Sequence, residues 1–299
     1  MSDLSYSRIA LSTGVTLNVA TAGPEDGQPI LFLHGFPESH RTWRYQMAGL
    51  ADRYRVIAPD QRGFAASDRP EGVENYETDR IVADVAALAD ALGIDGFTLV
   101  GHDWGGAVAW TAALHHPLRV ERLVIVNAPH PLVFQKSLID DPAQREASQY
   151  MNFFRSPAAE AGITAMGLEG FLDRMLLNHA DPTKLTAEDR QHYLDDWNQS
   201  GVLTTMLNWY RASKIVVPTP GEEVNAPLWT HAPFPKLPMP TLVVWGLKDP
   251  ALLPVQLEGL HDLVADLRIV SSPSAGHFIT WEEPGTVTGA IRDFLEETA

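Results

Sequence analysis

A chain of 299 residues, 45% of them hydrophobic, is long enough to bury one sizeable core, or a core with an inserted subdomain. Its 22 Lys and Arg stand against 38 Asp and Glu, and the net charge of −16 sets nucleic acid aside as a partner. Cysteine is absent, which excludes disulfides, thiolate catalysis and Cys-ligated metals. The opening residues MSDLSYSRIALSTG hold no basic stretch followed by an apolar run, and no segment approaches the ~18 apolar residues that span a bilayer. A cytoplasmic chain with no membrane partner is the expectation. The eleven histidines form no HExxH pattern, and His115-His116 before Pro117 reads as a solvated helix end, so neither a metal nor a cofactor is expected.

In chain order, short apolar runs alternate with helical patterns through the first ~130 residues, as βα units feeding a parallel sheet do. The runs are PILFL (29–33), YRVIA (54–58), FTLV (97–100) and RLVIV (122–126). Between the second and third, TDRIVADVAALADALG places Ile81, Val85, Leu88 and Leu92 on one helical face, and Gly93 ends it. Residues 131–236 change rhythm: they lack strand runs, carry aromatics and Met, and leave through a Pro-rich passage, which reads as a helical insertion. The βα pattern then resumes with TLVVWG (241–246), a helix over PVQLEGLHDLVADL, RIV (268–270) and a closing helix GTVTGAIRDFLEE. The expected architecture is α/β, a mostly parallel eight-stranded sheet with helices on both faces. Residues 1–130 and 237–299 form its core, and 131–236 a cap.

The chemistry centres on VGHDWGGAVAW (100–110). Gly101, Asp103 and Gly105 are spaced like the Gly-x-Ser-x-Gly nucleophile elbow, in the strand, tight turn and helix that an elbow requires, but the centre is aspartate. The competing reading has Asp103 merely capping the helix that follows. The His-Gly turn HGFPES (34–39) would bring the Phe36 N–H to an oxyanion site beside that of Trp104. Asp249 in LKDP follows a strand, where site residues of open sheets collect, and His277 in SAGHF follows the last one. Nucleophile, acid and histidine thus fall in the chain order of an α/β-hydrolase triad. No serine has glycines at both −2 and +2, and Ser67 in DQRGFAASD reads as shaping a turn.

With HGFPES, GHDWGG, LKDP, GHF and NWYR in this order, essentially the whole chain resembles the α/β-hydrolase-fold epoxide hydrolases. The resemblance implies a small apolar epoxide as substrate, a covalent ester on Asp103, water activation by His277 with Asp249, and two cap tyrosines that bind and protonate the epoxide oxygen. The matching positions are Tyr210 in LNWYRA and Tyr150 in SQYMNFF. RGFAASD departs from the family, which more often has a second glycine there. Met151, Phe153, Phe154, Met206 and Trp209 are candidates for an apolar pocket or for the cap's own core. The rivals are a haloalkane or haloacid dehalogenase with the same nucleophile, and a ligand binder on a hydrolase scaffold. The first typically carries Asn where this chain has Phe36. The fluoroacetate type uses arginines just after the nucleophile, where this chain has Trp104 and Val108. A monomer or homodimer is expected.

Overall fold

The computed structural model describes residues 4–298. Eight strands form one sheet: β1 (Ser5–Ala10), β2 (Thr16–Ala22), β3 (Pro29–Leu33), β4 (Arg55–Pro59), β5 (Phe97–His102), β6 (Val120–Val126), β7 (Thr241–Gly246) and β8 (Leu267–Ser272). Their order is β1-β2-β4-β3-β5-β6-β7-β8, antiparallel at β1-β2 and β2-β4 and parallel from there on. β5 lies in the interior of the sheet, and all six of its residues are buried. A strand covered on both faces has no polar side to show, which is why it reads as an apolar run.

Strand side chains divide between the two faces with period 2. Leu31, Leu33 and Leu99 pack with Ile81, Val85 and Leu88 of helix Thr78–Ala91, the face foreseen from their spacing. Ile30, Phe32 and Val100 pack on the opposite side with Met47 and Leu50 of helix Arg44–Leu50 and with Val287, Ile291 and Phe294 of helix Pro284–Glu297.

Register fixes what the carboxyl edge presents. Leu33 pairs with Gly101, His102 with Val126 and Val126 with Val244, so β3, β5, β6 and β7 end side by side. The loops that follow these strands meet in the crevice where open α/β sheets bind ligands.

Between β6 and β7 the chain is helical: Pro131–Asp140, Pro142–Ala147, Gln149–Arg155, Ala159–Leu172, Ala187–Trp197 and Val202–Ala212. Thr205 Oγ1 donates to the Gly63 carbonyl at 2.6 Å and Trp209 Nε1 to that of Arg62 at 3.1 Å, docking the last of these on the loop after β4. One local expectation is corrected. Residues 254–267 do not form a continuous helix but a 3-10 turn, Pro254–Leu257, and a short helix, Leu260–Leu263, separated at Gly259, whose φ of 72° lies outside helical space.

Candidate active site

The elbow begins in backbone strain. Asp103 has φ 51° and ψ −122°, a conformation that L residues rarely hold, and it follows β5 directly before helix Trp104–His115. The turn is tight enough to forbid side chains around it. A Cβ on Gly101 would lie 2.3 Å from the Gly105 carbonyl oxygen, and one on Gly105 would lie 2.1 Å from that of Leu33. Asp103 occupies the N-cap position, yet its side chain makes no capping bond. Instead Oδ1 accepts the Phe36 N–H at 2.7 Å, across from the loop after β3. Trp104 is the first residue of the helix, so its N–H has no intrahelical partner.

Oδ2 faces His277, whose Nε2 lies 3.6 Å away, within reach of the charge but longer than a hydrogen bond. On the other side of the ring, Nδ1 donates to Asp249 Oδ2 at 2.6 Å. Asp249 is held in turn by the N–H groups of Ala251 and Leu252 on Oδ1, each at 2.9 Å, and by the Asn127 amide on Oδ2 at 2.8 Å. Asn127 sits just past β6 with φ 38° and spans to β7 by accepting the Gly246 N–H at 2.7 Å. Nothing in a lone Asn after a strand announces this; its left-handed φ, tolerated by Asn, becomes visible only in the fold.

The charges of this cluster support one another. Burial alone would push the His277 pKa down, but the Asp249 charge, its hydrogen bond and the facing Asp103 carboxylate raise it well above the ordinary histidine value. Burial likewise opposes the two carboxylates, and His277 outweighs it, holding Asp103 and Asp249 below the usual range. At neutral pH the cluster is an imidazolium between two carboxylates.

Tyr150 and Tyr210 come from two different insertion helices, Gln149–Arg155 and Val202–Ala212, and their ring centroids are 6.1 Å apart. Tyr210 stands edge-on to Phe36 at 5.0 Å and to Trp104 at 5.2 Å. Burial raises both phenol pKa values above 10, and the Asp103 charge adds to it, so both hydroxyls stay protonated. Asp103, Tyr150 and Tyr210 line a cavity of about 310 Å³ together with Trp104, Val108, Phe134 and Met151.

The five pocket candidates separate, and Met206 is buried in the core without lining the cavity. Met151 lines that cavity, whereas Phe154 is buried behind it against Phe36 and Tyr210. Trp209 is also buried, facing the loop after β4, and Phe153 is 40% exposed and does not line the cavity. An aromatic at helical spacing says that it packs, not against what. Glu38 and His102 carry no signal of their role in the sequence. Glu38 is a buried carboxylate that accepts from Tyr193 Oη at 2.7 Å and lies 3.2 Å from His102 Nδ1. The His102 Nε2 lies 2.9 Å from the His277 carbonyl oxygen, so this pair backs the histidine loop from beneath. Among the described residues no helix is long and apolar enough to cross a membrane.

Residues 28–284 match the α/β hydrolase fold family. A solved structure, described as one of the novel epoxide hydrolases of the α/β-hydrolase superfamily from metagenomes of hot environments, is 47% identical and superposes with a TM-score of 0.91, covering 98% of this chain and 99% of that one. The AB hydrolase superfamily protein YfhM of Bacillus subtilis is 35% identical over 95% of this chain and 96% of its own. Epoxide hydrolase A of Mycobacterium tuberculosis is 32% identical over 96% of each.

Proposed function

The chain belongs to the α/β-hydrolase-fold epoxide hydrolases, and from that premise we propose that Asp103 opens the epoxide ring and carries the intermediate as its own ester. Oδ1 is engaged by the Phe36 N–H, which leaves Oδ2 to attack a ring carbon. As that C–O bond forms, the ring C–O bond breaks, and Tyr150 or Tyr210 gives its proton to the departing oxygen. The Asp103 charge that helped to raise both phenol pKa values disappears in the same step, so the tyrosines become better acids as the alkoxide develops. A serine would suit an acyl substrate. A carboxylate suits saturated carbon, because the ester it forms can be hydrolysed at the enzyme's own carbonyl.

Hydrolysis uses the other half of the cluster. Once Asp103 is esterified, His277 loses one of the two carboxylates that held its proton, passes that proton to the tyrosinate left by ring opening and becomes a base, oriented by Asp249 and Asn127. It takes a proton from water, the hydroxide attacks Cγ of Asp103, and negative charge moves onto Oδ1. The N–H groups of Phe36 and Trp104 stabilise that oxyanion, a role in which one donor typically contributes ~10²-fold or more. Collapse breaks the Cγ–Oδ2 bond: the proton of the added hydroxyl passes to the leaving oxygen, the vicinal diol departs and the Asp103 carboxylate is restored, while the proton taken from water leaves His277 as the imidazolium it was at the start. The helical insertion, residues 131–236, serves as the cap that brings both tyrosines over the nucleophile.

The observation that carries this reading is a carboxylate and two protonated phenols converging on one cavity. A departing halide would instead need a second N–H donor beside Trp104, where Phe36 presents only a phenyl ring. The test sets styrene oxide beside 1-bromobutane and fluoroacetate, following diol and halide. Diol from styrene oxide is expected; halide release without diol would overturn the assignment. His277→Gln should lower steady-state turnover by ~10² to 10⁴-fold while still opening the ring. The stalled ester would appear as a mass increase on the peptide that holds Asp103, and absence of any adduct would sink the two-step scheme.

A further inference from the structure

Two cavities meet at the nucleophile, and three residues line both: Asp103, Tyr150 and Tyr210. These are the groups assigned to the bond-breaking step, so a ring held by them has one cavity on either side. The two differ in chemistry. The first, about 310 Å³, is walled mainly by Ile81, Trp104, Val108, Phe134, Ile215 and Leu252, and the cation that lines it, Lys214, faces the Glu77 carboxylate at 4.0 Å. The second, about 400 Å³, presents Arg174, Asn178, His179 and His277 beside Phe36 and Met175. One substituent of the substrate is therefore received by hydrocarbon and the other by hydrogen-bond donors.

Arg174 gives the second arm its sign. It is exposed, and no ion pair to it is found among the described residues; the adjacent Asp173 carboxylate is engaged by Arg190 at 2.9 Å, and Glu169 also pairs with Arg190. Asn178, one helical turn further on, is also exposed. An anion entering a site that already holds Asp103 and Asp249, on a chain of net charge −16, meets repulsion unless a fixed cation offsets it. Arg174 is placed to do so, and its planar fork matches a carboxylate.

Resting on the epoxide reading above, we propose that the preferred substrate is an epoxide substituted on both carbons, with an apolar group on one and an arm ending in a carboxylate on the other, the carboxylate being bound by Arg174 with Asn178. The acid should bind better than its own methyl ester, which has the same arm without the charge. Because Arg174 is open to solvent, the advantage is of surface ion-pair size, about fivefold in kcat/KM, carried by KM and reduced by added salt.

The experiment measures kcat and KM for phenyl-substituted epoxy acids of graded arm length, for their methyl esters and for styrene oxide, with the wild-type chain and Arg174→Gln. The expected result is an acid preference that the variant abolishes, with styrene oxide and ester turnover unchanged, which also shows that the variant is folded. If styrene oxide is hydrolysed but acid and ester are equivalent, or if Arg174→Gln slows both alike, the carboxylate arm is wrong and the epoxide reading survives. If styrene oxide and every epoxy compound remain unreacted, the epoxide reading itself fails and takes this inference with it.

Discussion

At the scale of single residues, the proposed acid step is shared by two tyrosines on two helices. Burial comes first in raising both pKa values, followed for each by charge in the neighbourhood, with Asp103 acting on both. On the proposed mechanism either phenol can donate, so losing one leaves the other in place. Tyr210→Phe or Tyr150→Phe should slow ring opening by ~10- to 100-fold and the double variant by ~10³-fold or more, within the span of general acid catalysis. Hydrolysis of the ester should be nearly unchanged. Stopped-flow tryptophan fluorescence, with Trp104 edge-on to Tyr210 at 5.2 Å, is the measurement that would separate the two phases. An unchanged first phase in Tyr210→Phe would remove that residue from the acid role. The pH dependence has a determined sign. Asp103 is held below 3.8 and both phenols above 10, so ring opening should be flat from about pH 5 to 9. An alkaline decline within that window would contradict the assignment of the tyrosines.

At the scale of elements, helix Ala187–Trp197 rests on the loop after β3, and it carries a cost there. Burial first, then the charge of Asp60, raises the Asp196 pKa to about 6. A carboxyl whose folded pKa exceeds its unfolded value stabilises fully only below the unfolded one, near 3.8, and that stability is lost as pH rises through 6. The ionised group is therefore a burden at neutral pH. Asp196→Asn should raise stability at pH 7.5 by about 1–3 kcal/mol and leave it unchanged near pH 3.5; equal gains at both pH values would show that Asp196 does not titrate as assigned. No sequence pattern marks this residue, because its burden comes from a loop more than a hundred residues away. The same contrast runs through the site. Asp103, Asp249 and His277 were legible because chain order and strand ends place them on one edge of the sheet, and helix Thr78–Ala91 because its period is local. Asn127, Glu38 and Arg174 were not, since each owes its position to register or to packing between segments distant in sequence. β1 escaped for a different reason: its residues SYSRIA are largely exposed, so they show no apolar run.

At the scale of the whole molecule, the loop proposed to form the oxyanion site is also where core and insertion are fastened together. From the insertion, Trp197 Nε1 donates to the Pro37 carbonyl at 2.6 Å and Tyr193 Oη to Glu38 at 2.7 Å. From the core, Trp281 Nε1 reaches the same Glu38 oxygen at 3.2 Å, and His102 approaches the other. A buried carboxylate is tolerable only while its donors stay in place, so lifting the insertion away removes from Glu38 its shortest hydrogen bond, that from Tyr193. Core and insertion should therefore unfold as one cooperative unit despite the length of the chain. Tyr193→Phe tests the coupling with almost no change in shape. Deleting the hydroxyl should cost about 1–3 kcal/mol and lower Tm by roughly 2–4 °C per kcal/mol. Far-UV circular dichroism and tryptophan fluorescence should report the same lowered midpoint. A variant in which fluorescence melts first, while the sheet signal holds its wild-type midpoint, would show that the insertion opens independently and that Glu38 does not join the two.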